Sequence, residues 1–158
     1  MTKVAILGFG TVGSGVAEVL SKNSQGIARR SGGEIQVKYI LDVRDFPDSP
    51  FKDCFVKDFS IIENDPEVDV VVETIGGAKV ALEFTTRALK AGKSVVSSNK
   101  ELVATHGYEL LQLAKANGVS YLFEASVGGG IPILRPLTNC LAANEVEQIT
   151  GILNGTTN

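Results

Sequence analysis

Short apolar runs alternate along this chain with stretches in which apolar residues return every three or four positions. Residues 4–7, 36–41, 68–72, 94–97 and 119–123 read as buried strands, and residues 12–22, 78–91 and 101–116 as amphipathic helices. Gly92 and Gly118 follow the last two helices, where C-terminal caps belong. Strands alternating with helices predict an α/β fold, a doubly wound parallel sheet with helices on both faces. The polar, glycine-containing residues 23–34 are expected to form a surface loop, and residues 45–51, with Pro47 and Pro50, a second irregular stretch. After Pro132 a last helix is expected to reach Ala143, followed by a strand over residues 146–153. No internal repeat, low-complexity tract or interdomain linker interrupts the pattern.

The first strand runs straight into Gly8-Phe9-Gly10-Thr11-Val12-Gly13, a GxGxxG sequence, and from there into a helix. In a Rossmann-type dinucleotide site the first glycine allows the tight turn and the second lets a pyrophosphate approach the backbone. The third brings the helix close to the strand. Free N–H groups and the positive end of the helix dipole then favour the anion. The pattern alone is weak, because 17 of the 158 residues are glycine. The strand before it and the spacing Val12, Val16, Val19, Leu20 after it supply the context that a merely structural glycine turn would not need.

Asp42 ends the second strand, where a carboxylate accepts hydrogen bonds from the ribose of NAD; the extra residues 23–34 account for its distance from the glycines. Arg44 points the other way, since a guanidinium pairs with the 2′-phosphate of NADP. A turn cap at Asp42 and a surface charge at Arg44 are the plainer readings of the same residues. NAD and NADP both stay open, with Arg44 favouring NADP.

Polar and glycine-rich groups recur at the carboxyl ends of the later strands, where an open sheet places its ligand crevice. They are Glu73-Thr74-Ile75-Gly76-Gly77, Ser98-Asn99-Lys100-Glu101 and Glu124-Ala125-Ser126-Val127-Gly128-Gly129-Gly130. Each alone reads equally as an ordinary loop, with Glu73 or Glu124 as a helix N-terminal charge; together they point to one site. Lys100 is the only cation among them. An ammonium there can bind a substrate carboxylate, steady a developing alkoxide, or transfer a proton. His106, the only histidine, lies six residues further along the helix before Gly107 and reads as a local packing or capping residue.

Composition narrows the function classes. With 44% apolar residues the chain fits one globular domain. A net charge of −3, with Lys and Arg dispersed, offers no basic surface for nucleic acid; the pair Arg29-Arg30 reads as a solvated turn. Cys54 and Cys140 lack the spacing of a zinc site or a disulfide framework. No apolar run reaches membrane-spanning length, and the N-terminus has no leader pattern, so a reduced, cytoplasmic protein without membrane contact is expected.

Five blocks, in order, resemble the homoserine dehydrogenase family. They are Gly8-Phe9-Gly10-Thr11-Val12-Gly13, Val72-Glu73-Thr74-Ile75-Gly76-Gly77, Ser98-Asn99-Lys100, Glu124 through Pro132, and Gly151-Ile152-Leu153-Asn154-Gly155-Thr156-Thr157-Asn158. The resemblance implies an NAD(P)-dependent oxidoreductase that reduces L-aspartate 4-semialdehyde to L-homoserine on the route to threonine, methionine and isoleucine, as a dimer or larger. It further implies an NAD(P)-binding domain over residues 1–143, with residues 144–158 opening a substrate and dimerisation domain that this chain does not contain. Binding without turnover is the expectation for such a segment. Lys100 takes the family's catalytic or nicotinamide-side place. The loop from Gly8 to Gly13, Arg44, Thr74 and Ser98 take cofactor-binding places, and Asp42 and Gly76 join them as candidates from their positions at the strand ends. Some members hold a monovalent cation, sodium, near the third glycine-rich turn; Glu124 and backbone oxygens of Val127, Gly129 and Ile131 match, although a metal-free turn is as compatible with them. Two rival readings are another sugar- or amino-acid-type oxidoreductase, which would show Glu-Lys-Pro where this chain has Asn-Lys-Glu, and a nucleotide sensor with no catalysis.

Overall fold

The computed structural model describes residues 1–151. Six strands form one sheet: β1 Thr2–Leu7, β2 Ile35–Leu41, β3 Phe55–Val56, β4 Val70–Glu73, β5 Ser94–Ser97 and β6 Tyr121–Leu122. Every neighbouring pair is parallel, and the order is β3-β2-β1-β4-β5-β6. The chain thus builds outward from β1 in one direction and then in the other, and the reversal between β1 and β4 opens the crevice where such sheets bind ligands.

Five helices cover the sheet: α1 Thr11–Lys22, α2 Ser24–Ser31, α3 Phe59–Glu63, α4 Lys79–Lys90 and α5 Lys100–Ala116. Alternation along β1 divides the core in two. Val4 and Ile6 pack with Ala17 of α1 and Ile40 on one face, while Ala5 and Leu7 join Val71, Val95 and the buried residues of α4 and α5 on the other. Burial on both faces explains why these strands read as continuous apolar runs. Registers align the strand ends: Leu41 lies opposite Leu7, Leu7 opposite Glu73, and Glu73 opposite Ser97.

Several elements depart from the sequence expectation. Residues 24–31 form α2 instead of a loop. Gly32 closes it in the left-handed region at φ +77°, the Asn23 carbonyl accepts from Ile27 N at 2.9 Å, and Ile27 and Ala28 are its half-buried face. The strands β3 and the short α3 were not expected; Asp58 caps α3 by accepting from Ser60 N at 2.8 Å. Strand β4 starts two residues later than the expected 68–72 and ends one later, and β6 keeps only two residues. After Pro132 the expected long helix shrinks to one wide turn, Pro136–Cys140, with Pro136 at its start. Residues 146–151 form no strand, having no described neighbour to pair with. Residues 152–158, with the remainder of that expected strand and the Asn-Gly-Thr-Thr-Asn block, lie outside the described residues.

Candidate functional site

The turn from β1 into α1 is built by two glycines. Gly8 adopts φ +91°, and a Cβ on Gly13 would stand 1.9 Å from the Gly8 carbonyl oxygen, so only glycine lets α1 start this close to the strand. Thr74, one residue past β4, directs its hydroxyl at the carbonyls of Leu7 and Gly8, at 2.8 and 3.0 Å, and locks the turn to the neighbouring strand. Around Gly10 the space is open: a Cβ there would meet no atom within 4 Å. Helix α1 has no side-chain cap and no acidic residue in its first turn. Thr11 and Val12 are exposed at its start. Unsatisfied N–H groups beside an open glycine are a cradle for an anion, and they fit the pyrophosphate of a dinucleotide.

A cavity of about 500 Å³ adjoins that turn, lined by Gly8, Gly10, Asp42, Arg44, Thr74 and Gly76, with Leu41, Val43, Ile75, Val80 and Phe84 as its apolar wall. Phe84 is braced from behind, stacked on Phe59 at 4.6 Å. Asp42 is the most heavily bonded group here. Its carboxylate accepts from Arg44 Nε and Nη2 at 3.0 and 2.9 Å, from Arg44 N at 2.9 Å and from Phe9 N at 2.7 Å. The Arg44 guanidinium, helped by those backbone N–H groups against the cost of burial, holds the Asp42 carboxyl well below the usual carboxylate range. Arg44 also lies over the Phe46 ring at 5.1 Å and keeps 59% of its side chain exposed, within reach of an incoming phosphate.

Lys57 had no sequence signal. Its ammonium donates to the carbonyls of Asp42, Val43 and Arg44 at 3.1, 3.1 and 2.6 Å and pairs with Asp45 at 2.7 Å, which fixes the loop after β2 beside the cavity. Val80 and Phe84 were findable, standing at i and i+4 on the helix after the second glycine group. Phe9 faces away from the cavity: its ring packs edge-on against Phe46 and Phe55, both at 5.0 Å. That aromatic group walls a larger hollow of about 630 Å³ between α1 and residues 45–51, which contains none of the strand-end groups of β4 or β5.

Two strands further along the same edge, Ser98 follows β5 and donates its backbone N–H to the Glu73 carbonyl at 3.3 Å. Lys100 opens α5, exposed and without an ion pair among the described residues. A cation at the positive end of a seventeen-residue helix opposes the helix dipole, which favours anions there. Asn99 caps the helix, accepting from Leu102 N at 3.1 Å while its amide donates to the carbonyls of Ile75 and Gly77 at 3.1 and 2.7 Å. The structure therefore gathers Gly8, Gly10, Asp42, Arg44, Thr74 and Gly76 around one cavity and sets Ser98 and Lys100 beyond it on the same edge.

The third glycine-rich turn behaves differently. Glu124 accepts from three successive backbone N–H groups, Ile133 at 2.6, Leu134 at 2.8 and Arg135 at 2.9 Å, and these lower its pKa. Val127 N bonds back to Glu124 O, and Ile131 N to Gly128 O. Gly128, at φ +75°, would with a Cβ stand 2.9 Å from the Ile131 carbonyl oxygen. His106 faces Glu109 one turn along α5, at 3.4 Å, away from the strand ends. Both cysteines are free, and burial pushes the Cys54 thiol up. No helix among the described residues is long and apolar enough to cross a membrane.

Strand order, open glycine turn and uncapped helix start together define a dinucleotide-binding domain. Residues 8–124 match the model described as the NAD binding domain of homoserine dehydrogenase, and the chain belongs to that family. Homoserine dehydrogenase of Pseudomonas aeruginosa is 44% identical over 158 residues, which cover 99% of this chain and 36% of that protein. The homoserine dehydrogenase structure from Thiobacillus denitrificans aligns with a TM-score of 0.82 at 40% identity, over 90% of this chain and 34% of the other. A hyperthermophilic archaeal homoserine dehydrogenase in complex with NADPH aligns with a TM-score of 0.71 at 29% identity, over 86% of this chain and 47% of the other. The chain spans little more than a third of the length of the curated relatives it matches.

Proposed function

We propose that this chain binds NADP or NAD across the β1–α1 turn and serves as the cofactor-binding part of a cytoplasmic homoserine dehydrogenase that reduces L-aspartate 4-semialdehyde to L-homoserine in amino-acid biosynthesis. The observation that carries the reading is the open space at Gly10 beside the uncapped start of α1. Gly8, Thr11, Val12 and Gly13 shape the pyrophosphate cradle, and Asp42 and Arg44 take the adenosine ribose or its 2′-phosphate. Thr74, Gly76 and Ser98 continue the path toward Lys100. Bound there, the nicotinamide supplies the hydride. Lys100 steadies or protonates the emerging alkoxide, a role worth roughly 3–4 kcal/mol for a positioned donor facing developing charge. The substrate domain, assembly as a homodimer or larger, and turnover belong to the whole enzyme; this segment alone binds cofactor.

A sodium ion near Glu124, with backbone oxygens of Val127, Gly129 and Ile131, belongs to the same reading. A carboxylate offers about four acceptor positions, and three of those on Glu124 already take N–H groups, so one is left for the ion.

Calorimetry with NADPH and NADH tests the central claim. Gly10→Val should fold normally and lose at least ~100-fold in affinity for both, because the side chain fills the cradle; an unchanged affinity refutes the site. In the whole enzyme, Lys100→Met should lower kcat/KM for the semialdehyde by at least ~100-fold with cofactor affinity far less affected. Normal turnover would remove Lys100 from the chemistry.

A further inference from the structure

We propose that Glu73 is a positioning residue for the nicotinamide half of the cofactor, holding the cavity wall at Ile75 and Gly76 in place by tying the loop after β4 to the turn that opens α5. Resting on the cofactor reading above, this assigns a role to a group that does not itself line the cavity.

Glu73 is 0% exposed at the end of β4. One carboxyl oxygen accepts from Ile75 N at 2.7 Å, and the other accepts from the Ser97 hydroxyl at 2.5 Å. Ser97 Oγ in turn accepts from Asn99 N at 3.1 Å. Asn99 precedes Lys100 and returns its side-chain amide to the carbonyls of Ile75 and Gly77. These bonds close a ring: Glu73 to Ile75 on one side, Glu73 through Ser97 to Asn99 on the other, and Asn99 back to Ile75. Ile75 and Gly76 line the cofactor cavity, so the ring joins that wall to the start of α5.

No cation bonds to Glu73 among the described residues, and burial pushes its pKa up. A buried carboxyl without a counter-charge costs stability that an apolar side chain of similar size would not. The ring gives it a function that an apolar side chain could not perform. Tyr121 stands beside it; its buried hydroxyl has no partner among the described residues, and burial lifts its pKa to about 12. That hydroxyl is a ready acceptor for the Ser97 proton whenever Ser97 Oγ must itself receive a donor, as it would opposite a glutamine at position 73.

The test uses the 158-residue chain and two ligands, NADPH and 2′-phospho-ADP-ribose, which lacks the nicotinamide. Glu73→Ala should weaken NADPH by at least about tenfold, the scale of opening a buried hydrogen-bond network, and leave 2′-phospho-ADP-ribose within about twofold. Glu73→Gln, which keeps the ring, should restore most of the NADPH affinity. Should Glu73→Ala not fold, Ser97→Ala carries the same test, since it opens the ring by removing one hydroxyl. Equal losses for the two ligands, an unchanged NADPH affinity, or failure of glutamine to restore it would overturn the proposal. A wild-type chain that binds neither these two ligands nor their counterparts without the 2′-phosphate, NADH and ADP-ribose, would overturn the cofactor reading itself; a chain that binds only the latter pair takes the same test with them, and wild-type binding without the split in the variants overturns only the role of Glu73.

Discussion

Asp42 and Glu73 stand at the ends of the two strands that flank β1, and both carboxyls are buried, yet their surroundings push them in opposite directions. Asp42 faces a guanidinium and two backbone N–H groups and is held ionised far into acid. Glu73 faces a hydroxyl and one backbone N–H, with no opposite charge, and burial favours its neutral form. The guanidinium therefore decides for Asp42, which lies nearer the surface, and depth without a counter-charge decides for Glu73. The difference suits two kinds of work. The Asp42–Arg44 pair is open to solvent on the arginine side and can exchange partners with a ribose or a phosphate. The Glu73 ring is closed, and it holds backbone in place.

Removing the turn between them would break the comparison altogether. Gly13→Ala places a methyl group inside the Gly8 carbonyl contact, and should cost about 3 kcal/mol of stability in urea unfolding while disturbing both strand ends at once. A variant of near wild-type stability would mean that α1 can lift away from β1 freely.

Arg44→Ala sharpens the contrast on the Asp42 side. Losing a charge-assisted pair with the 2′-phosphate should weaken NADP by roughly tenfold and NAD by much less. Equal effects in paired titrations would make Arg44 a partner of Asp42 only.

The pH dependence of stability is the smallest effect and separates the two carboxyls by sign. Asp42 has a depressed folded pKa, so its contribution is present above its ordinary value near 4 and is lost as pH falls through the folded value. Glu73 has a raised one: its favourable contribution is complete below about 4.5 and is lost as pH rises through the folded value. Asp42→Asn should flatten the acid limb of a urea-midpoint profile, whereas Glu73→Gln should flatten the decline toward neutral pH and raise the midpoint at pH 7. The same sign for both variants would show that the surroundings of Glu73 carry a charge partner after all.

The sequence exposed the parts of this site that rest on spacing. Gly8, Gly10 and Gly13 are legible because each position of the turn demands the absence of a Cβ or room for a ligand, and Asp42 because it follows an apolar run. Strand β3 is two residues long, too short for any period to show. Helix α2 presents little more than Ile27 and Ala28 to the protein, and its sequence, rich in serine, glycine and arginine, imitates a loop. Lys57 was illegible because its role depends on three carbonyls converging in space after β2 turns. Glu124 was legible as a strand-end carboxylate, but its three N–H partners come from residues 133–135, nine to eleven positions away, where sequence pointed only to an ordinary helix.

The level row of strand ends has a consequence for how this domain tolerates change in length. Leu41, Leu7, Glu73 and Ser97 are level, and the next residue of each strand, Asp42, Gly8, Thr74 and Ser98, belongs to the candidate site. Side chains alternate faces with every step. One codon inserted within β4 would turn the Glu73 carboxyl toward the glycine turn and send the Thr74 hydroxyl toward Ser97, undoing both attachments together. Residues 45–51, by contrast, can lengthen at a cost that grows only with the logarithm of loop length. Natural variation in size should accumulate in that loop and spare the strands by even a single residue.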